Sequence, residues 1–169
     1  LEGIRLLQNL VPKLAVRTIY DINLDQLWNS GIRGIITDLD NTLVGAKDPL
    51  ATPELIEWLK QLKDAGFKVV IVSNNHRTRV TNFAQPIGVQ FIYRAKKPTN
   101  VSFHRAMKLL GTGVMQTAVI GDQMLTDVLG GNRMGLYTIL VQPISIRDEG
   151  FFTKVNRRIE KLAMAWMKK

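Results

Sequence analysis

Residues 34–42 read Gly34-Ile35-Ile36-Thr37-Asp38-Leu39-Asp40-Asn41-Thr42, an apolar β-branched run that breaks abruptly into two carboxylates, an amide and a hydroxyl. Four further runs of the same kind occur, at 68–72, 89–93, 118–121 and 137–141. Segments of helical character separate them. Thr52-Pro53-Glu54 opens the first helix, because Thr caps, Pro suits the first turn and Gly66 can end it. Leu55, Ile56, Leu59 and Leu62 are its expected apolar stripe. The other helices are expected from about Arg77 to Gln85, from beyond Pro98 to Gly111 with Val101, Met107, Leu109 and Leu110 as apolar contributors, and near 125–133. Strands alternating with helices of about ten residues read as βαβ units and a parallel sheet. Runs this apolar require helices on both faces. The expectation is an α/β domain of three layers around a five-stranded parallel sheet.

Working outward, 169 residues suit a single domain able to bury roughly 70% of the surface of its unfolded chain. The apolar fraction of 46% with 22% charged residues excludes global disorder and collagen-like repeats. The absence of cysteine excludes disulfides, thiolate-bound zinc, iron–sulfur clusters and a Cys nucleophile. No run of eighteen uncharged apolar residues occurs to span a bilayer. The chain opens on Leu1 rather than Met, which leaves a processed start or a preceding leader open. The net charge of +9 points to an anionic partner without choosing among nucleic acid, membrane and phosphorylated substrate.

Open parallel sheets bind ligands beyond the carboxyl ends of their strands, so the residues there carry the chemistry. They are Asp38 to Thr42, then Ser73-Asn74-Asn75, then Lys97-Pro98, then Gly121-Asp122 with Asp127 just behind. Asp38 and Asp40 stand two apart and point to the same side of an extended segment. Such a pair repels unless a cation lies between, and an all-oxygen set with Asp122 suits Mg²⁺ better than zinc. Ser73 can donate to a phosphoryl oxygen, and Lys97 can neutralise its charge. A carboxylate can accept a phosphoryl group covalently while a second one protonates the leaving alcohol and later activates water. His76 and His104 lack metal-ligand spacing and read as surface or helix residues.

Asp38-Leu39-Asp40-Asn41-Thr42, Ser73 behind its apolar run, Lys97, and Gly121-Asp122 with Asp127 resemble the four motifs of the haloacid dehalogenase phosphatase superfamily, at steps of 35, 24 and 25 residues. The resemblance implies a Rossmann-like domain with Asp38 as nucleophile and Asp40 as general acid/base. It implies Mg²⁺ held by Asp38, the Asp40 backbone carbonyl and Asp122, with Asp127 supporting the metal or Lys97. Thr42, Ser73, Asn74 and Lys97 would surround the phosphoryl group. No room remains between motifs for a large cap domain, so the whole chain 1–169 is expected to be one domain, with a catalytic core of about 32–141. The closest likeness within the superfamily is to the uncapped YqeG-like group, which includes phosphatidylglycerophosphate phosphatases. That implies hydrolysis of phosphatidylglycerophosphate to phosphatidylglycerol by a peripheral protein on the cytoplasmic face of a membrane. A nucleic-acid-end or phosphoprotein phosphatase is the alternative within the superfamily, and a non-catalytic RNA-binding module the alternative outside it.

The flanks, 1–30 and 145–169, are expected to be helical extensions. In the second, Phe152, Val155, Ile159, Leu162 and Trp166 recur at helical steps, with Lys154, Arg157, Arg158, Lys161, Lys168 and Lys169 on other faces. This pattern fits a helix that docks its stripe on the domain, or one that lies on an anionic membrane. The first flank, with Arg5, Lys13 and Arg17, can dock, anchor or pair copies of the chain into a homo-oligomer. Residues 90–110 add Arg94, Lys96, Arg105 and Lys108 beside Lys97 with no acid, which favours a polyanionic partner. The expected partners are a phosphorylated lipid headgroup and an anionic membrane surface, ahead of nucleic acid.

Overall fold

A computed structural model describes residues 1–144 and 151–168, with the side chains of 151–156, 166 and 167 left aside. In chain order the elements are α1 (Glu2–Gln8), β1 (Leu14–Val16), a 3₁₀ turn (Ile19–Asp21), α2 (Leu24–Asn29), β2 (Gly34–Thr37), α3 (Pro53–Asp64), β3 (Lys68–Val72) and α4 (Arg77–Ala84). There follow β4 (Gln90–Ile92), α5 (Asn100–Leu110), a second 3₁₀ turn (Val114–Gln116), β5 (Thr117–Gly121), a π-helical turn (Met124–Val128), α6 (Leu129–Arg133), β6 (Tyr137–Val141) and α7 (Phe151–Met167). The strands form one wholly parallel sheet in the order β1-β6-β5-β2-β3-β4.

Two apolar layers follow from the two-residue period of the strands. Ile35, Ile71, Ala118 and Ile120 face one side and pack with Leu55, Trp58 and Leu62 of α3 and with Val80 and Phe83 of α4. Ile36, Val70, Val72 and Val119 face the other and meet Phe103, Ala106 and Leu110 of α5. Helices therefore cover both faces, as the apolar strands require.

The sheet has six strands rather than the five expected. Leu14–Val16, inside the flank expected to be helical, adds to the sheet edge with Leu14 opposite Ile139 and Val16 opposite Val141. Three residues between Lys13 and Arg17 carry no periodic signal of their own; their extended form comes from pairing with β6.

Helix faces were only partly legible. Thr52 caps α3 by accepting from the Leu55 amide, but Ile56 is exposed and Trp58 is buried in its place. On α5, Val101 and Leu109 are exposed while Phe103 and Ala106 are buried. His76 caps α4 through its ring and His104 is exposed. The last helix departs furthest. Of its expected stripe the two residues with described side chains, Ile159 and Leu162, are exposed, while Glu160 and Ala163 are buried. Ala163 joins Leu10, Met124 and Leu129 in a small cluster, and Glu160 Oε1 accepts from the Met124 amide at 2.6 Å. A polar bond next to a small residue thus fixes the docked face. Phe152, Val155, Trp166, Lys154 and Lys169 of the expected pattern lie outside the described side chains. No helix among the described residues is long and apolar enough to cross a membrane.

Candidate active site

The carboxyl ends of β2, β3 and β5, with the loops after β4 and β5, bring the predicted residues into one crevice. β2 delivers Asp38, whose amide continues the sheet by donating to Ile120 O at 2.9 Å. Three residues later the chain reverses at Asn41, which adopts a left-handed backbone (φ 61°) that Asn tolerates better than most. The reversal is closed by the Asn41 amide on Val44 O at 2.7 Å. Asp38 and Asp40 therefore both lie on the segment that leads from the strand into the reversal.

Lys97 is the pivot of the inner half. Its ammonium donates to Asp127 Oδ1 at 2.7 Å and Asp38 Oδ1 at 3.1 Å, with a side chain only 3% exposed. Burial works to strip its charge, but Asp127 and Asp38 outweigh it and hold the group above the ordinary lysine range. Asn74, expected among the phosphate ligands, is engaged with the Lys97 backbone on both sides of its amide: Oδ1 accepts from Lys97 N at 2.7 Å and Nδ2 donates to Lys97 O at 3.2 Å. Ser73 is buried, and its Oγ accepts from the Asn75 amide at 3.1 Å, which leaves the hydroxyl proton to donate. Thr42, also expected near the phosphate, donates to Asp122 Oδ1 at 3.1 Å. Lys96, the neighbour of Lys97 in the chain, is exposed.

Asp38, Asp122 and Asp127 can bring one carboxylate oxygen each within 4.8 Å of the others, all three buried. Burial, then the neighbouring Asp38 and Asp127, push the Asp122 carboxyl well above the usual range. Burial also lifts Asp127 to about 6, against the pull of Lys97. Such crowding of acids in a dry place is the environment a hard divalent cation relieves, and its all-oxygen donors fit Mg²⁺. Gly121 makes the crowding feasible, since a Cβ there would lie 2.1 Å from Asp127 Cγ. The Asp40 carboxylate stands apart from this cluster; only its backbone carbonyl was implied as a metal ligand.

Two residues of the site, Arg79 and Arg157, are not among those expected from the sequence, and Asn75 was expected there without a role of its own. Arg79 donates from Nε and Nη2 to Asp40 Oδ1 at 3.1 and 3.0 Å, and Asn75 Nδ2 donates to Asp40 Oδ2 at 2.8 Å. Arg157 of α7 reaches in from the far side, bonding both the backbone oxygen and Oδ2 of Asp122. A usable signal existed for Arg79, because the first turn of a helix that follows a strand end must face the same crevice. None existed for Arg157, which the periodicity placed on a solvated face.

A parallel sheet with this acid, hydroxyl and amine set at its carboxyl edge, and no large insertion between motifs, defines a haloacid dehalogenase-type phosphatase. The sequence model of the family described as "Mitochondrial PGP phosphatase" matches residues 4–145, and the chain belongs to that family. It is 47% identical over 159 residues to "Probable phosphatase YqeG" of Bacillus subtilis, covering 94% of this chain and 92% of that one. It is 27% identical over 173 residues to the phosphatidylglycerophosphate phosphatase 1 of Arabidopsis thaliana chloroplasts and mitochondria, covering 96% of this chain but 49% of that protein. The chain thus spans about half the length of the Arabidopsis relative. Among solved structures, the cobalt-bound deoxy-D-mannose-octulosonate 8-phosphate phosphatase (YrbI) of Haemophilus influenzae shares the fold, with a TM-score of 0.56 at 18% identity over 80% of this chain and 91% of that one.

Proposed function

We propose that this phosphatase is a Mg²⁺-dependent phosphomonoesterase working through an aspartyl-phosphate on Asp38. Its proposed substrate is phosphatidylglycerophosphate, converted to phosphatidylglycerol by a peripheral enzyme at the cytoplasmic face of a membrane. The observation that carries the chemistry is the unequal setting of two carboxylates on one turn. Asp38 is set against Lys97 and the acid cluster, whereas Asp40 is held outside that cluster and its side chain is 20% exposed.

In this reading an Asp38 oxygen attacks phosphorus while the bond from phosphorus to the leaving oxygen breaks. Asp40, as the acid, gives its proton to that oxygen, so the product departs as an alcohol. Water then attacks phosphorus, Asp40 takes a proton from it, and the bond from phosphorus to Asp38 breaks. Phosphate is released with the Asp38 carboxylate and the Asp40 acid restored. Lys97 and the Ser73 hydroxyl meet the charge on the phosphoryl oxygens. Asp38, Asp122 and the Asp40 carbonyl, backed by Asp127, would hold Mg²⁺, which when bound offsets that charge.

Four features support a lipid substrate. Between Thr42 and Ser73 lie only a short flap, α3 and β3, and between Ser73 and Lys97 only α4 and β4, so a large substrate has access. A cleft of about 730 Å³ opens onto Asp122, with Val16, Leu140 and Met164 in its walls and Arg17, Lys161 and Lys168 beside them. α7 turns Ile159 and Leu162 to solvent beside exposed Arg158 and Lys161, an arrangement that suits an anionic interface. Exposed Arg94, Lys96, Arg105 and Lys108 add positive charge on the Lys97 loop and α5. Phosphate release from phosphatidylglycerophosphate in mixed micelles is expected to exceed release from a 3′-phosphorylated oligonucleotide. Faster release from the oligonucleotide overturns the lipid assignment.

A further inference from the structure

We infer that Arg79 is the positioning residue of the general acid, deciding which oxygen of Asp40 carries the transferred proton and tying that carboxylate to the flap at its mouth. The inference rests on the assignment of Asp40 as general acid/base made above. A carboxylate oxygen has two lone pairs in its plane. Oδ1 of Asp40 accepts from both Nε and Nη2 of Arg79, at 3.1 and 3.0 Å, so both of its sites are taken. Oδ2 accepts only from Asn75 Nδ2, at 2.8 Å, among the described residues. The proton given to the leaving oxygen therefore resides on Oδ2, which the fork on Oδ1 holds at a fixed orientation.

The rest of the guanidinium binds the flap that follows the turn. Nη1 donates to Asp48 O, and Nη2 also donates to Gly45 O at 3.3 Å. The flap is tied internally by the Gly45 amide on Asp48 Oδ2 at 3.0 Å. Arg79 itself is held from below. Its backbone amide donates to the capping His76 ring, its side chain is 12% exposed, and its guanidinium lies 5.6 Å from the centre of the Phe83 ring. One planar five-donor group thus joins α4, the general acid and the flap; a lysine, with a single nitrogen, cannot make the fork and both carbonyl contacts together.

A residue that positions a general acid matters most where the leaving group needs a proton. Alkyl phosphates need it; aryl phosphates with acidic phenols depart largely without it. The test compares wild type, Arg79→Ala, Arg79→Lys and Asp40→Asn on phosphatidylglycerophosphate micelles and on aryl phosphates of graded phenol acidity, with Mg²⁺ present. Hydrogen exchange of the Gly45 amide is measured on the same proteins without substrate.

Arg79→Ala is expected to lower kcat/KM for the alkyl ester by about 10²-fold more than for 4-nitrophenyl phosphate. Arg79→Lys should fall between it and wild type, and both variants should exchange Gly45 faster. If Arg79→Ala does not fold, Arg79→Lys carries the same comparison with a smaller steepening. A uniform loss across leaving groups, with Asp40→Asn still steepening the dependence, refutes the role of Arg79 alone. If Asp40→Asn leaves that dependence as in wild type, the assignment of Asp40 itself fails.

Discussion

Replacing Lys97 by Met removes one buried charge and two bonds while nearly keeping the volume, and so isolates what the ammonium does for the acid cluster. In the wild-type protein it pairs with Asp127 at 2.7 Å and Asp38 at 3.1 Å from a site 3% exposed. Removing one partner of a buried pair typically costs about 3–5 kcal/mol, because the carboxylates left behind have lost their solvent and their counter-charge. The pH dependence gives the loss a signature. Burial already holds Asp127 at about 6 with Lys97 in place, and Asp122 well above the usual range. An acid whose folded-state value is raised contributes stability that is complete below its unfolded value near 4 and is lost as pH rises through the folded value. Without Lys97, the Asp127 value rises further, and the variant takes up an additional proton on folding. Urea melts of the metal-free protein should therefore show a deficit of about 3–5 kcal/mol at pH 7.5 that shrinks by about 1–2 kcal/mol at pH 5.5. An equal deficit at both pH values, or none at pH 7.5, refutes the reasoning.

Gly121→Ala would place a Cβ 2.1 Å from Asp127 Cγ and Oδ2, forcing a short side chain tied to Lys97 to move. Calorimetric Mg²⁺ affinity should fall by about tenfold, and an unchanged affinity contradicts the part given to Asp127. Arg157→Ala frees Asp122 of a competing cation, so Mg²⁺ affinity by calorimetry should rise; a fall would show instead that α7 supports the site. Ile159→Glu with Leu162→Glu places charge on an already exposed face. The double variant should lose flotation with anionic vesicles at an unchanged melting temperature, whereas undiminished flotation removes α7 from the membrane proposal.

The sheet and the inner half of the site were legible because their causes are local. Ile35 and Ile36, or Val70 and Ile71, must be buried on opposite faces whatever surrounds them, and the polar residue that ends each strand then falls at the ligand-binding edge. Lys97, Asp122 and Asp127 follow from that placement. Leu14–Val16 was illegible because its extended form depends on β6, more than a hundred residues away. Arg79 and Arg157 were passed over for a related reason. A basic residue on an amphipathic helix reads as solvated; the position of Arg79 in the first turn after a strand end is a signal against that, whereas only the tertiary fold brings Arg157 within reach of Asp122. In α7 the usual rule inverts: Glu160 and Ala163 dock, while Ile159 and Leu162 face outward. Periodicity locates such a face but cannot say what covers it.

In the proposed reaction Asp38 carries the phosphoryl group between the two half-steps. Borohydride reduces an acyl phosphate to the alcohol, so enzyme quenched during turnover of phosphatidylglycerophosphate with Mg²⁺, reduced and digested should yield a peptide with homoserine at position 38. Asp40 should remain aspartate in the same digest, and Asp38→Asn should give no homoserine and no phosphate release. Homoserine at another position, or turnover by Asp38→Asn at the wild-type rate, would contradict the account.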